Sequence, residues 1–471
     1  MLSSLECLAV AWRSRWRCTT MCTWPTGRSA RWETPLLVGE TPAVAARPRI
    51  FYGWYIVGAS IFSNALLSGI VFSGFGAFII PIETTFGWSR SAISGALAIR
   101  QFESGLLAPG IGFVVDRFGA RRIIIGGALM TGLGLMALGW LTTGIATFYF
   151  FFIIVAIGTS GISHSVTWPV IITRWFRRKR GTAIGLAVMG PTIGTALVIL
   201  NTTLEEQFGW RNVIAGYGLL VAVLITLMGL IARDRPEPYG LAPDGDPPAL
   251  AGSEASIRAA AHDAGGLTLV QVLRSPSFWL LTLYLGGMFV SSSGFLSHEL
   301  PYFVDDLGFS ARSAAVMVTL TFAFSAIGRI GAGTLMDRMD YRLVMAGSSV
   351  LMALSFAYAQ AVDMRTGWAA QPLVIGFAVA FGANIPMRSV LGAMMFGNRS
   401  IGSVIGILNG GIVGAGLTGP LMLGLIFTWQ GNYNTGVWIM LVLSMALAVV
   451  PFFMRSRREL ERTRDAVRVA G

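Results

Sequence analysis

Residues 110–127 read GIGFVVDRFGARRIIIGG, an apolar stretch broken by one acidic and three basic side chains: Asp116, Arg117, Arg121 and Arg122. An altered copy, GTLMDRMDYRL, begins at Gly333, 333 − 112 = 221 positions after Gly112. Other pairs keep that register. Gly87 in FGWSRSA matches Gly308 in LGFSARSA, and Gly181, Gly185 and Gly190 match Gly402, Gly406 and Gly411, each 221 apart. One shared offset for several separate loops means that the chain consists of two homologous halves.

The sequence around these cassettes identifies the solvent. The 471 residues are 54% hydrophobic and 12% charged, with a mean hydropathy of +0.66, whereas a globular domain carries about 25% charged residues. A bilayer core of about 30 Å needs about 20 apolar residues per helix, and roughly twelve such segments run from Tyr52 to Phe453. The expected fold is an all-α membrane protein of twelve transmembrane helices in two six-helix, pseudo-symmetric halves.

The formal charge of +12 does not point to nucleic acid, because the basic residues fall in short clusters between spans. Arg117, Arg121 and Arg122, then Arg177–Arg180, then Arg338 and Arg342, then the tail from Arg455, alternate with loops holding only Arg90, Arg211, Arg312 or Arg365. The positive-inside rule then places both termini in the cytoplasm. Lys179, the only lysine, fits a GC-rich coding sequence and a bacterial inner membrane. The expected organisation is a disordered arm or start-site artefact at 1–49, half-molecules at 50–233 and 278–454, a polar cytoplasmic linker at 234–277, and a basic tail at 455–471. Cys7, Cys18 and Cys22 all lie in the arm and imply no disulfide framework.

Gly112, Asp116, Arg117, Gly119, Arg121 and Arg122 match the GxxxDRxGxRR signature of major facilitator transporters, between their second and third helices. SGFGAFIIPIETTFGWSRS, RWFRRKRGTAIGLAVMG, RPEPYGLAPDGD and GRIGAGTLMDR resemble the branch related to monocarboxylate transporters and oxalate/formate antiporters. The resemblance implies alternating access of two halves around a central site. It also implies that Asp116 and Arg121, with Asp337 and Arg338 in the second copy, latch the cytoplasmic side. The glycines permit close helix approach, and Asp116 can accept from Arg117, Arg121 or the N–H groups of a neighbouring helix start. In the second copy Asp340 replaces the glycine and Leu343 the last arginine, so a weaker or differently paired latch is expected there.

Charge at mid-helix costs about 2.5–3.5 kcal/mol on insertion scales, which marks each intramembrane ionisable residue as a functional candidate. Arg329 lies eight positions before Asp337, about 12 Å above the helix end, where a guanidinium can grip a carboxylate through two bonds. The resembled transporters place a substrate-binding arginine there on the eighth helix, and often a polar or acidic residue one turn earlier, here Ser325. Arg388 has a similar depth on the tenth helix, either lining the same cavity or packing against helix-end carbonyls. Two further candidates are His164 at mid-depth, which either meets substrate or packs within the bundle, and His298 at the outer end of the seventh helix, as a substrate or outer-gate contact. Glu103, paired i, i+3 with Arg100, and Glu299 are the candidates for a coupling proton.

The expected activity is secondary transport of a small organic anion, a monocarboxylate first, with possible proton coupling, by a monomer in the lipid bilayer. Two alternatives are a drug or metabolite exporter and a transporter-like sensor. An enzyme is not expected, because HExxH, paired intramembrane aspartates, GxSxG with partners and a Walker loop are missing from the sequence. No cofactor or metal is implied.

Overall fold

A computed structural model describes residues 50–89, 92–93, 95, 105–162, 165–246, 266–362 and 368–455. The arm 1–49, the tail beyond Arg455, and the candidates Arg100, Glu103 and His164 lie outside the described residues.

Where water is absent, a helix satisfies every backbone group within its own segment, and the apolar runs fold accordingly. Ten helices among the described residues are long and apolar enough to cross a membrane. They are the first span, Tyr52–Phe86; third, Ala120–Trp140; fourth, Ile145–Trp175; sixth, Trp210–Ile231; seventh, Pro276–Asp306; eighth, Ala311–Arg338; ninth, Tyr341–Ala361; tenth, Gln371–Phe396; eleventh, Ile401–Gln430; and twelfth, Asn434–Phe453. The second span ends in the described helix Ala108–Phe118. The fifth is divided into Arg180–Ala187, Gly190–Gly194 and Leu197–Phe208. Ten plus these two give the twelve expected from sequence.

The division of the fifth span has a local cause: Pro191 has no N–H, so the carbonyl four residues earlier loses its donor. The first span is also irregular, with a wide turn at Ser68–Phe72 and a tight one at Gly74–Phe78. Its backbone is satisfied from elsewhere, since Asn201 Nδ2 donates to the Gly69 carbonyl at 2.8 Å and Tyr217 Oη donates to Asn201 Oδ1 at 2.6 Å.

The segment expected to be a linker is ordered at both ends. At its start, the Asp244 carboxylate accepts from the N–H groups of Arg177 and Arg178 at 3.0 and 2.9 Å, and the Arg233 guanidinium lies between the rings of Tyr52 and Tyr239. Toward its end, a capping box at Thr268 and Gln271 opens the short helix Leu269–Arg274. The seventh span then begins at Pro276, ahead of the expected boundary at 278, because proline is well placed in a helix's first turn.

Candidate functional site

The charged cassettes meet helix starts of the opposite half. The N–H of Gly402 donates to Asp116 Oδ1 at 2.9 Å, while the N–H and hydroxyl of Ser403 donate to Oδ2 at 2.7 and 2.8 Å. In the second copy the N–H of Gly181 donates to Asp337 Oδ1 at 2.7 Å, and the N–H and hydroxyl of Thr182 donate to Oδ2 at 2.8 and 2.7 Å. Every partner is related by the 221 register. An anion at a helix N-terminus meets unpaired N–H donors and the positive end of the helix dipole, so each carboxylate ties one half to the other. Approach this close depends on glycine: a Cβ on Gly112 would lie 2.1 Å from the Gly402 carbonyl oxygen, and one on Gly333 would lie 2.3 Å from that of Gly181.

The hydrogen-bond donors of the two carboxylates match, so the replacements at Asp340 and Leu343 leave that pairing intact, while Arg174, 4.0 Å from Asp116, has Met395 in the matching place. Both carboxylates have the same set of three donors. Asp340 serves a different purpose. Gly119 turns the chain at φ 85°, and Asp234 from beyond the sixth span accepts from the N–H groups of Ala120 and Arg121 at 2.7 and 3.1 Å, capping the third span. At the matching turn Asp340 caps the ninth span itself, accepting from the N–H of Arg342 at 3.0 Å. Arg121 thus contributes its backbone N–H to a cap, and the cation nearest Asp116 is Arg174, at 4.0 Å. Arg117, Arg122 and Arg338 are exposed.

Deeper in the molecule, Arg329 is only 5% exposed, and its Nη1 donates to the Val188 carbonyl at 2.8 Å, at the break in the fifth span. Its Nε has no hydrogen-bond partner among the described residues. Arg388 Nη1 donates to Asn409 Oδ1 at 2.5 Å, and its Nε donates to the Ile385 carbonyl at 3.3 Å. Both guanidinium groups are thus oriented by neutral oxygens. Neither forms an ion pair with a carboxylate among the described residues. A small pocket is lined by Arg388, Asn384 and Ser292 together with Phe289, Phe381 and Ile412. Arg329 is not among its lining residues. Ser325 is buried at the crossing with the tenth span, and its hydroxyl donates to the Phe322 carbonyl at 2.7 Å.

His298 bridges Tyr433 Oη, 3.1 Å from Nδ1, and the Pro420 carbonyl, 3.1 Å from Nε2. Because a carbonyl only accepts, Nε2 carries a proton and donates to it. The same proline leaves the Gly416 carbonyl without its helical donor, and Ser293 Oγ fills that role at 2.6 Å. Glu299 is fully buried; Thr321 Oγ1 donates to its Oε1 at 2.5 Å, and Oε2 has no partner among the described residues. The structure therefore places Arg329 and Arg388 on two spans packed against each other, the eighth and the tenth, and sets His298 and Glu299 apart, at the far end of the seventh span. Asn409 and the Val188 carbonyl are missing from the sequence-based candidates, since a lone asparagine or a backbone oxygen gives no signal in sequence. Thr182 and Ser403 are missing from those candidates as well, although each is a hydroxyl residue that follows a register-matched glycine.

The sequence matches the Major Facilitator Superfamily over residues 61–409 and again over 299–469. Monocarboxylate transporter 13 of Bos taurus is 26% identical over 440 residues, covering 88% of this chain and 93% of the relative. The oxalate:formate antiporter of Oxalobacter formigenes is 23% identical over 317 residues, covering 64% of this chain and 68% of the relative. Among solved structures, the proton:xylose symporter XylE aligns with a TM-score of 0.66 at 17% identity, over 88% of this chain and 99% of that one. FucP in its outward conformation aligns with a TM-score of 0.63 at 14% identity, over 85% and 99%. With its repeated halves, its paired carboxylate contacts to helix starts and a family match across most of its length, the chain belongs to the Major Facilitator Superfamily and is a multi-pass membrane transporter.

Proposed function

We propose that the protein moves a small organic anion, a monocarboxylate in the first instance, by alternating access. One observation carries this reading: a buried guanidinium, Arg329, and a half-buried one, Arg388, are oriented by neutral oxygens and form no ion pair with a carboxylate among the described residues. Buried charge is stable only when paired, so the site calls for an anion from outside the protein. The cavity beside Arg388, with one cation among Phe289, Phe381 and Ile412, favours one carboxylate on an apolar body over two carboxylates. The relatives named as monocarboxylate and oxalate:formate transporters support the same class. In this reading the end at which Asp116 and Asp337 bind the opposite half faces the cytoplasm, by the loop-charge asymmetry, and is the closed side. Glu299, buried with one oxygen unpartnered, is the candidate for a coupling proton among the described residues.

The test is counterflow of mono- and dicarboxylates in proteoliposomes. Arg329→Gln should abolish carboxylate exchange, and Glu299→Gln should retain exchange while losing accumulation driven by a proton gradient. If no carboxylate exchanges, or if Arg329→Gln exchanges like wild type, the anion reading is wrong.

A further inference from the structure

We propose that Asn409 is the positioning residue of the anion site: its side-chain oxygen aims the Arg388 guanidinium while leaving the positive charge unspent for a ligand. This deepens the anion reading and rests on it.

Asn409 is 4% exposed on the eleventh span, and its Oδ1 lies 2.5 Å from Arg388 Nη1. A guanidinium only donates, so the amide oxygen must be the atom facing it. Together with the Ile385 carbonyl at 3.3 Å on Nε, the amide fixes the plane of the guanidinium from two sides. Arg388 Nη2 has no hydrogen bond among the described residues, and Arg388 lines the cavity. Its arrangement is therefore that of a cation held rigidly with donor capacity left over.

Neutrality is the essential property. A carboxylate at position 409 would orient Arg388 equally well, but it would also satisfy its charge. Among the described residues of the seventh, eighth, tenth and eleventh spans, Arg329 is the one other charged group at this depth; the second and fourth spans, which also pack here, carry Asp116, Arg117 and Arg174 toward their ends, and their Glu103 and His164 lie outside the described residues. The tenth span carries no charged residue besides Arg388 and the eleventh none, while the seventh has only His298, Glu299, Asp305 and Asp306, toward its far end. From the eighth, Arg329 adds positive charge, and Arg312, Asp337 and Arg338 stand near its ends. Asn409 is also the register mate of Val188, since 409 − 188 = 221. Corresponding points of the two halves thus hold the two cations, Val188 through its backbone and Asn409 through its side chain.

The experiment measures thermal stabilisation of the purified, detergent-solubilised full chain by acetate and by benzoate between pH 5.5 and 8, for wild type, Asn409→Asp and Asn409→Leu. A carboxylate beside an arginine couples to it by about 1–3 pKa units. By reciprocity, Asn409→Asp should therefore weaken probe binding about ten- to a thousandfold. Held ionised by Arg388, the introduced carboxylate keeps its charge across this range, so the deficit relative to wild type should be constant with pH. Asn409→Leu removes the aim without supplying charge, so its deficit should be smaller than that of Asn409→Asp at every pH. A merely structural asparagine would give equal losses in both variants, or none, and either result overturns the proposal. If neither probe stabilises wild type, the anion site itself is refuted and this inference falls with it.

Discussion

Removing one latch carboxylate is the most demanding test of how the two halves are held together. Asp337→Asn keeps the shape of the side chain but leaves one acceptor oxygen where there were two, and turns an NH₂ group toward an N–H donor. The wild-type carboxylate accepts from Gly181 N–H and from the N–H and hydroxyl of Thr182. Bonds to a charged acceptor contribute about 1.5–3 kcal/mol each and neutral ones about 0.5–1.5. Losing one bond outright and weakening the others, in a partly hydrated site, amounts to about 2–4 kcal/mol of preference for the closed state, a factor of about 30 to 1,000 in the population ratio. Spin labels at the exposed positions Lys179 and Arg338, read by double electron–electron resonance in nanodiscs, report the separation of the two halves at this end. The wild type should show one short distance, and Asp337→Asn should populate a longer one. Asp116→Asn should shift the distribution by a similar amount, because it loses the same set of donors. A large shift for Asp116→Asn with none for Asp337→Asn would refute the equivalence of the latches, and no shift in either would refute the latch.

Two further outcomes follow from local geometry. Asp234→Ala and Asp340→Ala each uncap one helix, the third and the ninth span, and should each lower stability by about 0.5–2 kcal/mol, seen as similar small drops in melting temperature; a drop for only one of them would contradict their shared role. Asn201→Leu strands the Gly69 carbonyl and the Tyr217 hydroxyl, two buried groups at about 1–3 kcal/mol each. Its thermal stability should fall well below that of Asn201→Gln in the same assay, and equal stability would show that the bend in the first span does not depend on this amide.

The cassette copies illustrate where reading the sequence succeeded and where it failed. Asp116 and Asp337 were recognisable because the signature and the 221 register are local patterns, and the helices because their apolar lengths match a bilayer. Asp340 misled, since its replacement of a glycine looked like damage. Its cap on the ninth span becomes visible only beside Asp234, which does the same for the third span from more than a hundred residues away. Arg329 and Arg388 were marked as intramembrane charges by depth alone.

The sequence by itself determined the membrane setting, the repeat, the number of spans and the residues whose charge is out of place, all properties of composition and period along one chain. Only the tertiary structure decided what those charges touch. That the two carboxylates meet helix starts of the opposite half, that Arg329 bonds a carbonyl at the break in the fifth span, and that Arg388 is aimed by Asn409 depends on helices distant in sequence crossing within hydrogen-bond range. Hydrogen bonds act over about 3 Å, and no one-dimensional pattern specifies which groups come that close.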